Sequence, residues 1–438
     1  MTVDSGTAGS GDARSTRLVG SHDLQGRAAL QVTVRDQWCY VGHLPGTQPN
    51  DLTGEVEHNG TSIVDVSEPS APRLVAHIAG DSPRGNSRAV QVIVSEHDGR
   101  DYLIRNNESP GACCFEVFDI CDRSRPSLVT RITETPRGPI TYAHKGWWDQ
   151  ASGLYFACAG EAGFRWGGHL VIWDLSNPAD PRFVARHWLP GQEESEPHPG
   201  GAKGINLHHP VVDIEAGKIY QGYPQGGFVE VVDIEDVSHP TTEMLFCIAP
   251  TFNRGPHTAL PLKQVPCPNF TDGVGDVRDF IVFANEANNG RPGHTEIRTM
   301  VYMLDVTAPS NPMTVDTFRV PDAEYVPQGG RFGPHQFAET QDGSLYSPKD
   351  NGNLLHVAYF SAGLRILDIT DPYDMKEVGH YVPAVTDRTV TRPGSLSEPI
   401  EQKVIQTNDV DLDARGLAYV SDRAGTGLHV IEYQGAAA

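Results

Sequence analysis

Short apolar runs recur along the whole chain, each closed by an acidic residue and followed by a polar turn and a proline. The copies are TSIVDVSEPSAP (61–72), FEVFDICDRSRP (115–126), LVIWDLSNPADP (170–181), VEVVDIEDVSHP (229–240), VYMLDVTAPSNP (301–312) and LRILDITDPYDM (364–375). LHVIEYQG (428–435) is a shortened seventh copy. Brief Val- and Ile-rich runs bounded by Asp, Ser and Pro predict strands rather than helices. The closing acids are Asp65, Asp119, Asp174, Asp233, Asp305, Asp368 and Glu432. Their spacing is about one four-stranded unit, which marks a repeat architecture.

A further strand follows most of these turns: RLVAHI (73–78), SLVTRI (127–132), RFVARHW (182–188), TVDTFRV (314–320) and KEVGHYV (376–382). The last copy lacks one, but RLVGSH (17–22) near the start matches RLVAHI. It is expected to cross back and complete the final sheet, because pairing the two chain ends removes the open edges of a ring. These features predict an all-β, seven-bladed β-propeller over residues 15–435, forming a single domain, with the last blade closed by an N-terminal strand. Residues 1–14 are expected to be disordered. The repeat resembles that of the LVIVD-repeat propellers, most clearly in LVIWDLSNPADP and LRILDITDPYDM. That resemblance implies the fold and leaves the activity open.

Aligning the units on the turn after each innermost strand brings seven polar residues into one register. His144 lies five residues before Asp149, His208 five before Asp213 and Asn408 five before Asp413. Gln91 likewise precedes Glu96, and Gln31 precedes Asp36. In the two units with diverged turns, GPHTALPL and GPHQFAETQDG place His257 and His335 at the matching point. The channel ring is then Gln31, Gln91, His144, His208, His257, His335 and Asn408. Four consecutive histidines at equivalent repeat positions point to a metal, since innermost strands converge on the axis and imidazole suits Fe, Cu, Zn and Ni. His209 falls one residue out of register. It is expected to pack structurally, with support of the site or contact with substrate as its alternative roles.

A second set comes from the strand that returns to the same face. YLIRNNE ends at Glu108, YFACAGE at Glu161 and FIVFANE at Glu286. Each carboxylate could accept the second N–H of a ligating histidine and so fix its tautomer; the alternative is a solvated acid or an arginine partner. Four histidines with three outer glutamates resemble the site of the four-histidine iron(II) oxygenase propellers, the carotenoid and stilbene cleavage enzymes. The resemblance implies His144, His208, His257 and His335 as ligands, backed by Glu108, Glu161 and Glu286. Iron(II) is then favoured, with copper, zinc and manganese as alternatives. His-rich channels are also found in the selenium-binding, methanethiol-oxidising propellers, where copper is implied.

Long insertions at 190–204, 251–256, 320–334 and 383–403 lead toward the ring and are candidate covers for it. Lys203, Arg254 and Arg331 lie in them and could hold a carboxylate or phenolate. Trp147, Trp148 and Trp166 are expected to serve mainly as core. Composition narrows the partners. A net charge of −22 argues against a nucleic-acid backbone or an anionic membrane surface. Seven cysteines without a CxxC pattern read as free thiols in a reducing compartment. The polar start has no secretory apolar segment, and no apolar run is long enough to span a membrane. A cytoplasmic protein is expected.

The residues therefore favour a metal-dependent oxidoreductase or oxygenase acting on a small organic molecule. A hydrolase or lyase using the same ligands, with Glu108, Glu161 or Glu286 as base, is the alternative. A non-catalytic binding propeller is the third.

Overall fold

The protein is described by a computed structural model covering residues 12–85, 90–95, 97–109, 111–198, 204–247, 255–267, 277–286, 299–321, 325–341, 344–389 and 403–435. Seven sheets of four or more strands succeed one another along the chain, antiparallel but for one parallel bridge between Gln341 and Leu412. Their innermost strands are Ala29–Arg35, Val90–Val94, Tyr142–Trp148, Pro210–Asp213, Pro256–Pro266, Gln336–Phe337 and Thr407–Leu412. The outermost strands of the first three blades are Arg73–Ile78, Ser127–Ile132 and Arg182–His187, where the sequence places them. The expected seven-bladed propeller is thus the observed one.

Thr16–His22 pairs antiparallel with Gly427–Tyr433, with Thr16 opposite Tyr433 and His22 opposite Leu428. Thr16–His22 therefore closes the seventh blade, as its likeness to RLVAHI implies. Gly427 adopts φ 97 and lies so close to the His22 carbonyl that a Cβ would collide with it. Glycine is required there on both counts. Of the segment expected to be disordered, residues 1–11 lie outside the described residues, whereas Asp12–Arg14 pairs with the outer strand Lys376–Val382. The sixth blade thereby has a fifth strand.

The repeated acid has a structural role. Asp65, Asp119, Asp174, Asp233, Asp305 and Asp368 each end a third strand. In every case Oδ1 accepts the backbone N–H two residues on, at 2.8–3.0 Å. This Asx turn stops the strand and starts the turn toward the proline. The third strands are apolar almost throughout because neighbouring blades cover both of their faces: His169–Asp174 is buried at all but its last residue. A register shift between the two residues that precede the acid recurs in six blades, and the seventh has its own at Leu18/Gly20. Such bulges sharpen the local twist. Trp173 packs with Phe115 of the preceding blade and with Tyr155, its cross-strand partner, at ring separations of 5.8 and 6.4 Å. Trp147 and Trp148 are buried in the core, as expected.

Asp305 also binds Arg278 at 2.7 Å. Asp305→Ala removes the acceptor of the Thr307 N–H and of that guanidinium, and is expected to destabilise by about 1–3 kcal/mol. Asp305→Asn keeps the turn bond and should cost less than the alanine change. Urea unfolding of the two variants measures the difference.

Candidate metal centre

The innermost strands of blades three to six bring four imidazoles into a curved row. His144 lies inside its strand, His208 precedes Pro210–Asp213, His257 is the second residue of Pro256–Pro266, and His335 immediately precedes Gln336–Phe337. Ring centroids are 4.4 Å apart for His144 and His208, 3.5 Å for His208 and His257, and 4.1 Å for His257 and His335. His144 Nε2 is 2.9 Å from His208 Nε2. The potential ligand atoms of His208, His209 and His257 lie within 4.8 Å of one another, as do those of His257, Glu286 and His335. The four predicted ligands are therefore gathered in two overlapping groups, with His257 common to both, plus His144 against His208.

The hydrogen bonds fix which ring nitrogens are bare. His144 Nδ1–H donates to Glu108 Oε1 at 2.7 Å. His335 Nδ1–H donates to the Asn408 carbonyl at 2.6 Å. A carboxylate and a carbonyl only accept, so both imidazoles present an Nε2 lone pair when neutral. His257 places Nδ1 2.9 Å from Thr258 Oγ1, and its buried Nε2 has no partner among the described residues. Burial, reinforced by the neighbouring imidazoles and Lys145, holds His208 and His257 well below the ordinary histidine pKa. Burial also lowers His335 to about 3, with Glu286 opposing and Arg423 and Arg331 assisting. At neutral pH these rings are uncharged, which is the state that binds metals.

The donor set thus fits a transition metal. A buried imidazole nitrogen without a hydrogen bond is costly, and two Nε2 atoms face each other at 2.9 Å. A cation shared by these lone pairs would relieve both conditions.

The three glutamates do not act alike. Glu108 supports His144, as expected. Glu286 lies beside His257 and His335 and is paired with Arg331. Glu161 instead takes the arginine partner that was its alternative: it binds His169 Nε2 at 2.8 Å and Arg186 at 2.7 and 3.0 Å, on the third and fourth strands of its blade. Burial alone would raise this carboxyl, but His169, Thr135 and Arg186 outweigh it and hold it at about 2.

The other channel positions serve mostly as ties between blades. Gln31 Oε1 accepts the Val90 N–H at 3.0 Å. Gln91 engages both the N–H and the carbonyl of Trp148. The amide oxygen of Gln31 and both ends of the Gln91 amide are thus committed to backbone. Asn408 offers its carbonyl to His335 and its side-chain oxygen to Arg423. Arg331 is buried, paired with Glu286 and set over Phe360, so it is part of the wall of the site. Lys203 and Arg254 lie outside the described residues.

His209 is buried beside the row, with Nδ1 2.9 Å from His208 Nδ1 and Nε2 3.0 Å from Glu339 Oε2. Glu339 and its ion-pair partner Lys145 were not expected from the sequence. The available signals were an acid four residues beyond His335 and a lysine next to His144. Both break the apolar pattern of an innermost strand.

Comparison with known proteins supports the repeat and the fold. The LVIVD repeat profile matches residues 56–79, 164–187 and 351–382. A Bacteroides fragilis NCTC 9343 protein, proposed to be a 6-phosphogluconolactonase, is 12% identical with a TM-score of 0.50; the match covers 92% of this chain and 96% of that one. The periplasmic gluconolactonase PpgL of Pseudomonas aeruginosa is 15% identical with a TM-score of 0.48, covering 80% and 83%. Sqt1 of Chaetomium thermophilum is 9% identical with a TM-score of 0.49, covering 95% and 99%. At these identities the likeness extends to the fold alone. Curated protein sequences give no match. No helix among the described residues is long and apolar enough to cross a membrane.

Glu161 provides a control for the site. Glu161→Ala leaves Arg186 and His169 around a lost buried carboxylate and is expected to cost about 3–5 kcal/mol, without changing bound metal. Because the folded pKa is depressed, its contribution is complete above the ordinary value of 4.5 and fades as pH falls toward about 2. Acid-unfolding curves of wild type and variant should therefore converge in that window, while metal content at neutral pH stays equal.

Proposed function

We propose that this propeller of LVIVD repeats is a metal-dependent enzyme whose ion is held by His144, His208, His257 and His335. The supporting observation is the buried, unpartnered Nε2 of His257 between His208 and His335. A divalent transition metal, iron(II) first, with copper, zinc or manganese as alternatives, suits an all-imidazole set. Bound there, it would supply a Lewis-acidic, redox-capable centre able to bind O₂ or polarise a substrate oxygen.

The chain's own residues contribute orientation and enclosure. Glu108 and the Asn408 carbonyl hold two imidazoles by Nδ1 and direct Nε2 inward. Tyr142 lies nearly parallel to His144 at 5.7 Å, and Phe360 sits 4.8 Å from His335. Phe360 has φ 37, a backbone that a bulky residue rarely adopts. It is anchored by the Thr407 N–H donating to its carbonyl at 3.0 Å. These rings give the site apolar walls suited to a small organic substrate.

An oxidoreductase is favoured over a hydrolase because the nearby carboxylates are engaged. Glu108 accepts from His144, Glu286 pairs with Arg331, and Glu339 pairs with Lys145 and His209. A hydrolase or lyase would need one of them as base. That second reading shares its reaction class with the lactonase among the fold neighbours, a likeness that reaches no further than the fold.

Elemental analysis of protein purified without added metal tests the proposal. About one transition-metal ion per chain is expected in wild type, falling at least tenfold in His208→Ala and His257→Ala. Iron or copper supports the oxidoreductase reading, and zinc shifts the assignment to the hydrolase. A metal-free wild type overturns the site.

A further inference from the structure

The nearest polar partners of His208 and His257 do not by themselves decide which nitrogen of each ring carries the proton. His208 meets an imidazole at each nitrogen, His209 at Nδ1 and His144 at Nε2, and His257 meets a hydroxyl; such groups can donate or accept. Following each chain of hydrogen bonds outward leads to the same carboxylate, Glu339.

On one branch, Glu339 Oε2 is 3.0 Å from His209 Nε2, which must donate to it. The neutral His209 ring then has only a lone pair at Nδ1. That lone pair accepts the proton of His208 Nδ1, 2.9 Å away. His208 is left with a bare Nε2 that faces the bare Nε2 of His144 at 2.9 Å, an opposition that a shared cation relieves. On the other branch, Gln336 Nε2 donates to Glu339 Oε2 at 2.6 Å. This orients the Gln336 amide so that its oxygen faces Thr258 Oγ1 at 3.1 Å. An amide oxygen only accepts, so the hydroxyl proton is spent there. The remaining Thr258 lone pair accepts from His257 Nδ1 at 2.9 Å, and His257 is left with a bare Nε2.

We propose that Glu339 is a positioning residue that sets the tautomer of two of the candidate ligands at once, through His209 to His208 and through Gln336 and Thr258 to His257. Lys145 completes the device by occupying Glu339 Oε1. With one oxygen held by an ammonium, the other is committed to accepting from both branches. Beyond the half-buried His208, every member is buried: His209, Thr258, Gln336, Glu339, Lys145 and His257 all lie beneath the surface. Solvent therefore offers no competing partner to the links that join these six. The ion's place in this scheme rests on the metal-site reading above; the proton arrangement does not.

The device makes a sharp prediction for Glu339→Gln, which preserves shape. The new amide should turn its oxygen to the Lys145 ammonium and its NH₂ toward His209 and Gln336. His209 must then accept at Nε2 and carry its proton on Nδ1, which forces His208 to the Nε2–H form. Gln336 must present oxygen to the new NH₂ and NH₂ to Thr258, whose hydroxyl then donates to His257 Nδ1. Both candidate ligands lose their bare Nε2.

Two-bond ¹H–¹⁵N correlation spectra of metal-free, histidine-labelled full-length protein read each tautomer directly. In wild type His257 should be Nδ1–H and His208 should carry a measurable Nδ1–H population against the opposing lone pair of His144, and in Glu339→Gln both should be wholly Nε2–H. His144 and His335, held by Glu108 and the Asn408 carbonyl, should not change in either. His209→Leu should release only His208, and Gln336→Leu only His257, so the branches remain testable if Glu339→Gln fails to fold. Unchanged tautomers in a folded variant, or a wholly Nε2–H His208 or His257 in wild type, overturn the proposal. Zinc competition titration supplies the second readout: Glu339→Gln should bind ~10–100-fold more weakly than wild type. If wild type binds no zinc the metal reading fails, while the spectra still decide the relay.

Discussion

The innermost strand of a propeller blade has its sheet on one side and faces the axis with its other edge, which among the described residues only the seventh blade pairs in part, through Gln341 opposite Leu412. Its N–H and C=O groups there are buried and must find partners that the sheet cannot supply. In this chain the partners come from the side chains of neighbouring blades. Gln31 takes the Val90 N–H, Gln91 takes both backbone groups of Trp148, and Asp409 and Asp411 take the N–H groups of Val32 and Val34. His335 donates to the carbonyl of Asn408 in the same manner. Closure of the ring at its seam depends on this as much as on the crossing N-terminal strand. Burial raises Asp409 to about 8 and lifts Asp411 well above its ordinary range, so the seam tolerates carboxyls that backbone donors accompany.

The same requirement explains how the histidine row arises. A channel position must be polar to serve the next blade, and imidazole meets that demand with one nitrogen while keeping another. Glutamine uses both ends of its amide, as Gln91 does, and has nothing left for a ligand. His144 and His335 each spend Nδ1 on an acceptor and keep Nε2. Burial, with neighbours whose protonated forms would repel one another, lowers the basicity of His208 and His257, and burial lowers that of His335. Structural duty and ligand availability are thus met by the same residues.

Around the row, charge is confined to matched groups. Lys145 with Glu339 and Arg331 with Glu286 are buried ion pairs on either side of neutral imidazoles. For Glu339, burial pushes the carboxyl up, but Lys145 and His209 prevail and hold it at about 2. His209 remains neutral because burial and Lys145 lower it to about 4 against the pull of Glu339. A permanent carboxylate beside a neutral imidazole is the condition under which a hydrogen-bond direction can be imposed over a distance.

The sequence by itself determined the blade count, the closing strand and the register of the channel ring, because these follow from local periodicity and from a turn chemistry repeated six times. Asp305 and its equivalents announce their Asx turns to any reader of the pattern. Glu108 was legible for the same reason, since it ends a strand that returns to the ring face. Tertiary structure alone decided which acids serve the site. Glu161 occupies the position of Glu108 in the next blade, yet Arg186 on an outer strand draws it away. Glu339 lies 130 residues from His209 and 194 from Lys145, and no repeat position marks it. Such contacts join different blades across the axis, and a one-dimensional period carries no information about what faces it from the other side.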